Sequence, residues 1–185
     1  AASVVACEQA SVSDSIQEIF MTPTFRTYSD SDVTGVEIGG IVKNVIAIAV
    51  GIAEGVGFGL NTRATVITRG LAEMGRLGSR LGADPMTFSG LAGVGDLICT
   101  CMSTLSRNHH VGHELGKGRK IDEIIGEMKQ VAEGVKSSKA VRELAEEHGV
   151  EMPISEGVYR VIHEGQTVDE MISDLLRRVR QRERD

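Results

Sequence analysis

The sequence predicts a mainly α protein: a short β-α-β segment, then an all-α, multi-helix domain. Three observations carry this reading. Only residues 1–31 hold strand-like stretches. From Asp32 onward, apolar residues recur at helical spacing between caps and breakers. Aromatics make up 3% of the chain and Trp is absent. Ala, Val, Ile, Leu, Met and Gly must then fill the core, which favours close-packed helices.

The elements follow in order. Ser3 to Cys7 reads as a short buried strand. Val12 to Phe20 reads as an amphipathic helix capped by Ser11 or Ser13. Pro23 breaks the chain, and Phe25-Arg26-Thr27-Tyr28 alternates as a strand. A boundary falls near Ser29 to Asp32. Asp32 is an N-cap for a helix that reaches about Glu54 and dissolves in Gly55-Val56-Gly57-Phe58-Gly59. Asn61 or Thr62 opens the next helix, Arg63 to Leu81, which Gly82 closes. Asp84-Pro85 restarts a helix, with Asp as cap and Pro at the first position. Gly90 to Asp96 reads as a glycine-rich bend. Helical patterns follow at Asn108 to Leu115, Ile121 to Met128, Gly134 to Glu147, Ile154 to His163 and Val168 to Arg180. The end, Arg177 to Asp185, reads as a solvated, charge-mixed helix end.

Bulk properties narrow the function classes. A chain of 185 residues suffices for one domain with an appendage. Apolar content of 41% and charged content of 25% are those of a soluble globular protein. A net charge of −6 argues against nucleic acid as the main partner, though not against a local basic pocket for one phosphate. Three cysteines without framework spacing point to a reducing, cytoplasmic compartment. The start carries no basic n-region of a signal peptide. Lys43, Asn44 and Gly51 interrupt the apolar run Ile41 to Ala53, which is expected to be too short for a membrane span.

The most informative stretch is Gly39-Gly40-Ile41-Val42-Lys43-Asn44. A helical side chain leans over the turn N-terminal to it. At Lys43 that turn is Gly40 (i−3) and Gly39 (i−4), with small Ala47 at i+4. One reading is a lysine in a pocket with room for a small molecule. The other is a stem on apolar surface with its head in water. Asp96, on a tight bend beside apolar Leu97-Ile98, is either the partner of Lys43 or a helix N-cap. Ser106-Arg107-Asn108 is either a phosphate clamp beside a helix start or an exposed loop with a capping Asn. Glu133, in Val131-Ala132-Glu133-Gly134, either accepts ribose hydroxyls or favours a helix N-terminus. Gly55 to Gly59 and Gly90 to Gly95 fail as dinucleotide fingerprints, because neither follows a strand. Cys99, Cys101, His109 and His110 match no standard zinc spacing, and no metal is expected.

Seven blocks together resemble one family. They are Gly-Gly-Ile-Val-Lys-Asn (39–44), Gly-Phe-Gly-Leu-Asn-Thr-Arg (57–63), Thr-Arg-Gly-Leu-Ala-Glu-Met (68–74), Gly-Val-Gly-Asp-Leu (93–97), Ser-Arg-Asn (106–108), Val-Ala-Glu-Gly (131–134) and Glu-Met-Pro-Ile (151–154). In order and spacing they resemble the C-terminal substrate domain of bacterial NAD(P)-dependent sn-glycerol-3-phosphate dehydrogenase. The resemblance implies a 6-phosphogluconate dehydrogenase C-terminal-like fold over 32–185. Residues 1–31 would be the tail of an N-terminal Rossmann (NAD-binding) domain.

It also implies hydride transfer between sn-glycerol 3-phosphate and dihydroxyacetone phosphate, with NAD or NADP, feeding phospholipid synthesis, in a cytoplasmic homodimer. Lys43 matches the proton acceptor and donor, and Asp96 the carboxylate beside it. Ser106, Arg107 and Asn108 match the substrate triplet, with Arg107 and Asn108 at the phosphate. Arg107, Val131 and Glu133 match cofactor contacts. His109-His110 stands where the family commonly has a basic pair. Two other readings compete. One is a non-catalytic helical module that binds a phosphorylated small molecule or mediates dimerisation. The other is a related dehydrogenase for a different 2-hydroxy substrate.

Overall fold

The computed structural model describes residues 1–177. Its elements are β1 (Ala2–Ala6), α1 (Ala10–Phe20), β2 (Arg26–Asp30), α2 (Val33–Val56) and α3 (Leu60–Arg80). A 3-10 turn (Pro85–Ser89) and a π-helical turn (Leu91–Gly95) then lead into α4 (Asp96–Met102). After it come α5 (Arg107–Gly116), α6 (Ile121–Glu127), α7 (Glu133–His148), α8 (Pro153–Tyr159) with a π turn (Arg160–Glu164), and α9 (Val168–Arg177). The predicted class, mainly α after a short β-α-β, is the one observed. The predicted end of the last helix and the charged tail beyond it lie outside the described residues.

β1 and β2 pair in parallel, with Ala2 opposite Arg26 and Ala6 opposite Asp30. α1 crosses between them, and the Gln17 amide donates to the Thr27 carbonyl at 2.6 Å. The serines expected to cap α1 lie inside it. Ser13 and Ser15 hydroxyls donate back to the carbonyls of Ala10 and Ser11, the bond such residues make inside a helix. Gln9 takes the cap position without a side-chain bond.

Asp32 joins this segment to the helical body. One carboxylate oxygen accepts from Gly35 N–H at 2.8 Å and caps α2. The other accepts from Asp84 N–H at 2.9 Å and the Thr87 hydroxyl at 2.6 Å. Burial raises its pKa, but these three donors outweigh that and hold it below the ordinary value. Asp84 caps the next turn as expected, accepting from Met86 N–H. That turn is 3-10, and the expected bend at Gly90 to Asp96 is a π turn running straight into α4. A Cβ at Gly93 would lie 2.2 Å from the Phe88 carbonyl oxygen. The chain can therefore coil tightly against the preceding turn only with glycine there.

α2 is the axis of the body. Val42, Val45, Ile46, Ala47, Ile48 and Val50 are fully buried, each worth roughly 1–3 kcal/mol of apolar transfer, least for Ala. Lys43, Asn44 and Gly51 do not interrupt it. Among the described helices α2 is long and apolar enough to cross a membrane, contrary to the expectation from its interruptions, but 72% of its apolar stretch is buried within the protein. It is apolar because α3, α4, α5, α7 and α8 all pack on it.

α2 and α5 meet along a glycine seam. A Cβ at Gly51 or Gly55 would fall 2.2 Å from the carbonyl oxygens of His109 and His113. A Cβ at Gly112 or Gly116 would fall 2.0 and 2.4 Å from those of Ile48 and Ile52. This contact explains why α2 does not dissolve at Gly55: the glycine is a packing position inside the helix. The helix stops at Gly57, whose φ of 98° is the left-handed cap geometry. α3 then starts at Leu60 rather than at Arg63, with Gly59 at its cap. On its inner face Glu73 is 1% exposed. Its carboxylate accepts from Ile154 N–H at 2.6 Å, Ser155 N–H at 3.1 Å and the Ser155 hydroxyl at 2.8 Å. It thereby caps α8 from a different helix. Burial pushes this carboxyl up against the pull of those bonds and of Arg76.

Candidate active site

Lys43 lies midway along α2 and its ammonium is paired with the Asp96 carboxylate. The pair is half-open: the side chains are 21% and 39% exposed. Local packing sets it up. The π turn presses against α2 at Gly39, where a Cβ would sit 2.4 Å from the Ala92 carbonyl oxygen. Asp96, the first residue of α4, is thereby set over the lysine. Gly39 is thus a packing residue rather than open space, unlike its reading from sequence. Gly40 is the open one: a Cβ there would meet nothing within 4 Å. Thr100 holds the other Asp96 oxygen from 3.2 Å. The N-cap of α4 is Gly95, not Asp96, and the Asp96 carboxylate is engaged by Lys43 and Thr100.

A second group gathers at the starts of α5 and α7. Ser106 caps α5, accepting from His109 N–H at 3.3 Å. Arg107 is exposed, and its guanidinium donates to Gln130 at 2.9 Å. Val131 is 52% exposed, and Glu133 is an exposed first-turn residue of α7. Asn108 differs from these. It is buried, donates to the Asn44 side-chain oxygen at 2.9 Å and accepts from Gly134 N–H at 2.8 Å. That bond ties the second group to the lysine helix. Arg107, Val131 and Glu133 are all exposed at the starts of α5 and α7.

The cysteine and histidine cluster disperses. Cys99 is exposed; Cys101 is buried, and burial pushes its thiol up to about 12. His109 turns to Glu54 at 2.7 Å, which also holds Arg63 at 2.7 Å. Burial lowers the His109 pKa, with Glu54 opposing.

A family profile described as the NAD-dependent glycerol-3-phosphate dehydrogenase C-terminus matches residues 32–173. The chain belongs to that family. It is 53% identical over 175 residues to a glycerol-3-phosphate dehydrogenase (NAD(P)+) of Geobacter sulfurreducens, covering 95% of this chain and 52% of that protein. One from Streptomyces coelicolor is 53% identical over 184 residues, covering 100% of this chain and 55% of its own. The crystal structure of the glycerol-3-phosphate dehydrogenase of Coxiella burnetii superposes with a TM-score of 0.93 at 40% identity, over 96% of this chain and 55% of that one. The yeast enzyme superposes at 0.79 and 30%, over 89% and 48%. The chain spans about half the length of these dehydrogenases.

Three residues bonded to the candidate site residues escaped the sequence reading. Thr100 had a usable signal, since it stands four residues from Asp96 on one helix face. Asn44 adjoins Lys43, but nothing local says which way its amide points. Gln130 meets Arg107 only through the fold.

Proposed function

We propose that this chain is the substrate-binding and catalytic half of an oxidoreductase that interconverts sn-glycerol 3-phosphate and dihydroxyacetone phosphate. The observation that carries the reading is the Lys43–Asp96 pair beside the uncovered turn at Gly40. An alcohol becomes a ketone by losing a proton from oxygen and a hydride from carbon. In oxidation the deprotonated Lys43 amine takes the hydroxyl proton and becomes the ammonium, and in reduction that ammonium returns the proton to the forming alcohol oxygen. Asp96 orients the amine by accepting from it, and Thr100 steadies Asp96. Arg107 binds the remote phosphate with its exposed guanidinium, with Ser106 at the same helix start and the buried Asn108 tying that start to α2. Binding energy gained there positions the reacting carbon over Lys43. Arg107, Val131 and Glu133 receive the cofactor. The nicotinamide of NAD or NADP, when bound, accepts the hydride or gives it back.

The family match over 32–173 supports reading residues 1–31 as the end of a cofactor domain and 32–185 as the substrate domain. The family resemblance also supports a homodimer, and the three free thiols a cytoplasmic setting. The test is oxidation of NADH or NADPH driven by dihydroxyacetone phosphate in the full-length protein. Lys43→Ala should lose activity at least a thousand-fold while circular dichroism stays unchanged. A variant with near wild-type kcat removes the assignment.

A further inference from the structure

Three helices that carry candidate site residues, α2, α5 and α7, each put the next residue into a buried relay. Lys43 is followed by Asn44, Arg107 by Asn108 and Glu133 by Gly134. Successive helical residues point about 100° apart. One member of each pair can therefore meet ligand while the next turns inward. The inward three form one chain of bonds. Gly134 N–H donates to Asn108 at 2.8 Å, Asn108 donates to Asn44 at 2.9 Å, and Asn44 donates to the Gly40 carbonyl at 3.1 Å. Asn44 and Asn108 are 7% and 8% exposed. A Cβ at Gly134 would lie 2.6 Å from the Asn44 carbonyl oxygen and 2.8 Å from the Asn108 amide oxygen. Only glycine lets α7 start this close to α2.

We infer that Asn44 is a positioning residue, one that sets the spacing between the proton-transfer lysine on α2 and the phosphate-binding Arg107 on α5. The inference rests on the function proposed above. An amide suits this place because it donates to one neighbour and accepts from another in the same plane. Buried amides of this kind must be satisfied, so α5 cannot slide along α2 without breaking a bond. A substrate held at both ends depends on that spacing. A substrate without phosphate does not.

The test uses the full-length enzyme with dihydroxyacetone phosphate and with dihydroxyacetone. Asn44→Ala should lower kcat/KM at least ten-fold for the phosphorylated substrate and less than three-fold for the unphosphorylated one. Equal losses on both overturn the inference while leaving the proposed reaction standing. Gly134→Ala pushes on the other end of the relay and should give the same asymmetry, which covers the case of a poorly folded Asn44→Ala. Hydrogen exchange supplies a readout without turnover. In Asn44→Ala the Gly134 amide should exchange at least ten-fold faster while the amides of α3 keep their protection. An unchanged Gly134 amide refutes the relay, even in a protein that proves to have no dehydrogenase activity.

Discussion

Removing the Glu73 carboxylate tests the logic of a buried charge used as a cap. In Glu73→Ala three donors lose their acceptor: Ile154 N–H, Ser155 N–H and the Ser155 hydroxyl. Each buried donor left unpaired costs about 1–3 kcal/mol. Against that, the variant no longer buries a charge, and burial already pushes this carboxyl up. Water reaching the vacated space re-solvates part of the α8 end. The net expectation is a loss of about 3 kcal/mol, in the range for breaking a buried ionic partnership. Glu73→Gln keeps the shape and one acceptor oxygen but turns an N–H₂ toward a donor, so it should lose about 1–2 kcal/mol. Urea unfolding with a common m-value reads both.

The pH dependence has a definite sign. The folded pKa of Glu73 is raised, so the folded state binds this proton more readily than the unfolded one. That contribution is complete below the ordinary value of 4.5 and fades as pH rises toward the raised folded value. The advantage of wild type over Glu73→Gln should therefore grow as pH falls through that window. A Glu73→Ala loss under about 0.5 kcal/mol, the level of ordinary surface changes, would refute the capping role.

Four further outcomes follow from the same structure. Arg107→Ala should raise KM for the phosphorylated substrate at least ten-fold with little change in melting temperature, as its side chain is exposed; steady-state kinetics beside a thermal melt checks it. Gly112→Ala puts a Cβ 2.0 Å from the Ile48 oxygen. Overpacking of about 3 kcal/mol, less about 1 kcal/mol of helix propensity, predicts a net loss of about 2 kcal/mol in denaturant. Gly75→Ala, with nothing within 4 Å, should gain slightly. Lys117 and Arg119 hold the Glu114 carboxyl at about 2, so its contribution is present above pH 4.5 and lost as pH falls toward 2. Glu114→Gln should flatten that acid limb in pH-dependent melts.

What the sequence disclosed was local. Asp32 and Asp84 read as caps because a carboxylate before a helix needs only its own next turn. Asp96 read from its spacing as either a cap or the partner of Lys43, and only the family resemblance pointed to the pairing. What stayed hidden depends on a second element. Gly55 looks like a terminator until α5 lies against it. Glu73 looks like a surface residue of an amphipathic helix until α8 supplies its donors. Asn108 looks like a loop cap until Asn44 and Gly134 close on it. Leu91–Gly95 looks like a bend because glycines hide the apolar rhythm that a π turn in any case breaks.

The glycine seam between α2 and α5 bears on how such a protein can change. Four backbone-to-backbone contacts leave no side chain there to trim or enlarge. A side chain added within the seam overpacks it, so substitution there cannot adjust the distance between the two helices without a loss of stability. Any retooling toward a longer or shorter substrate must happen at the exposed ends, around Gly40 and the segment from Gln130 to Glu133. The seam is a fixed ruler, and diversification is confined to what is mounted on it.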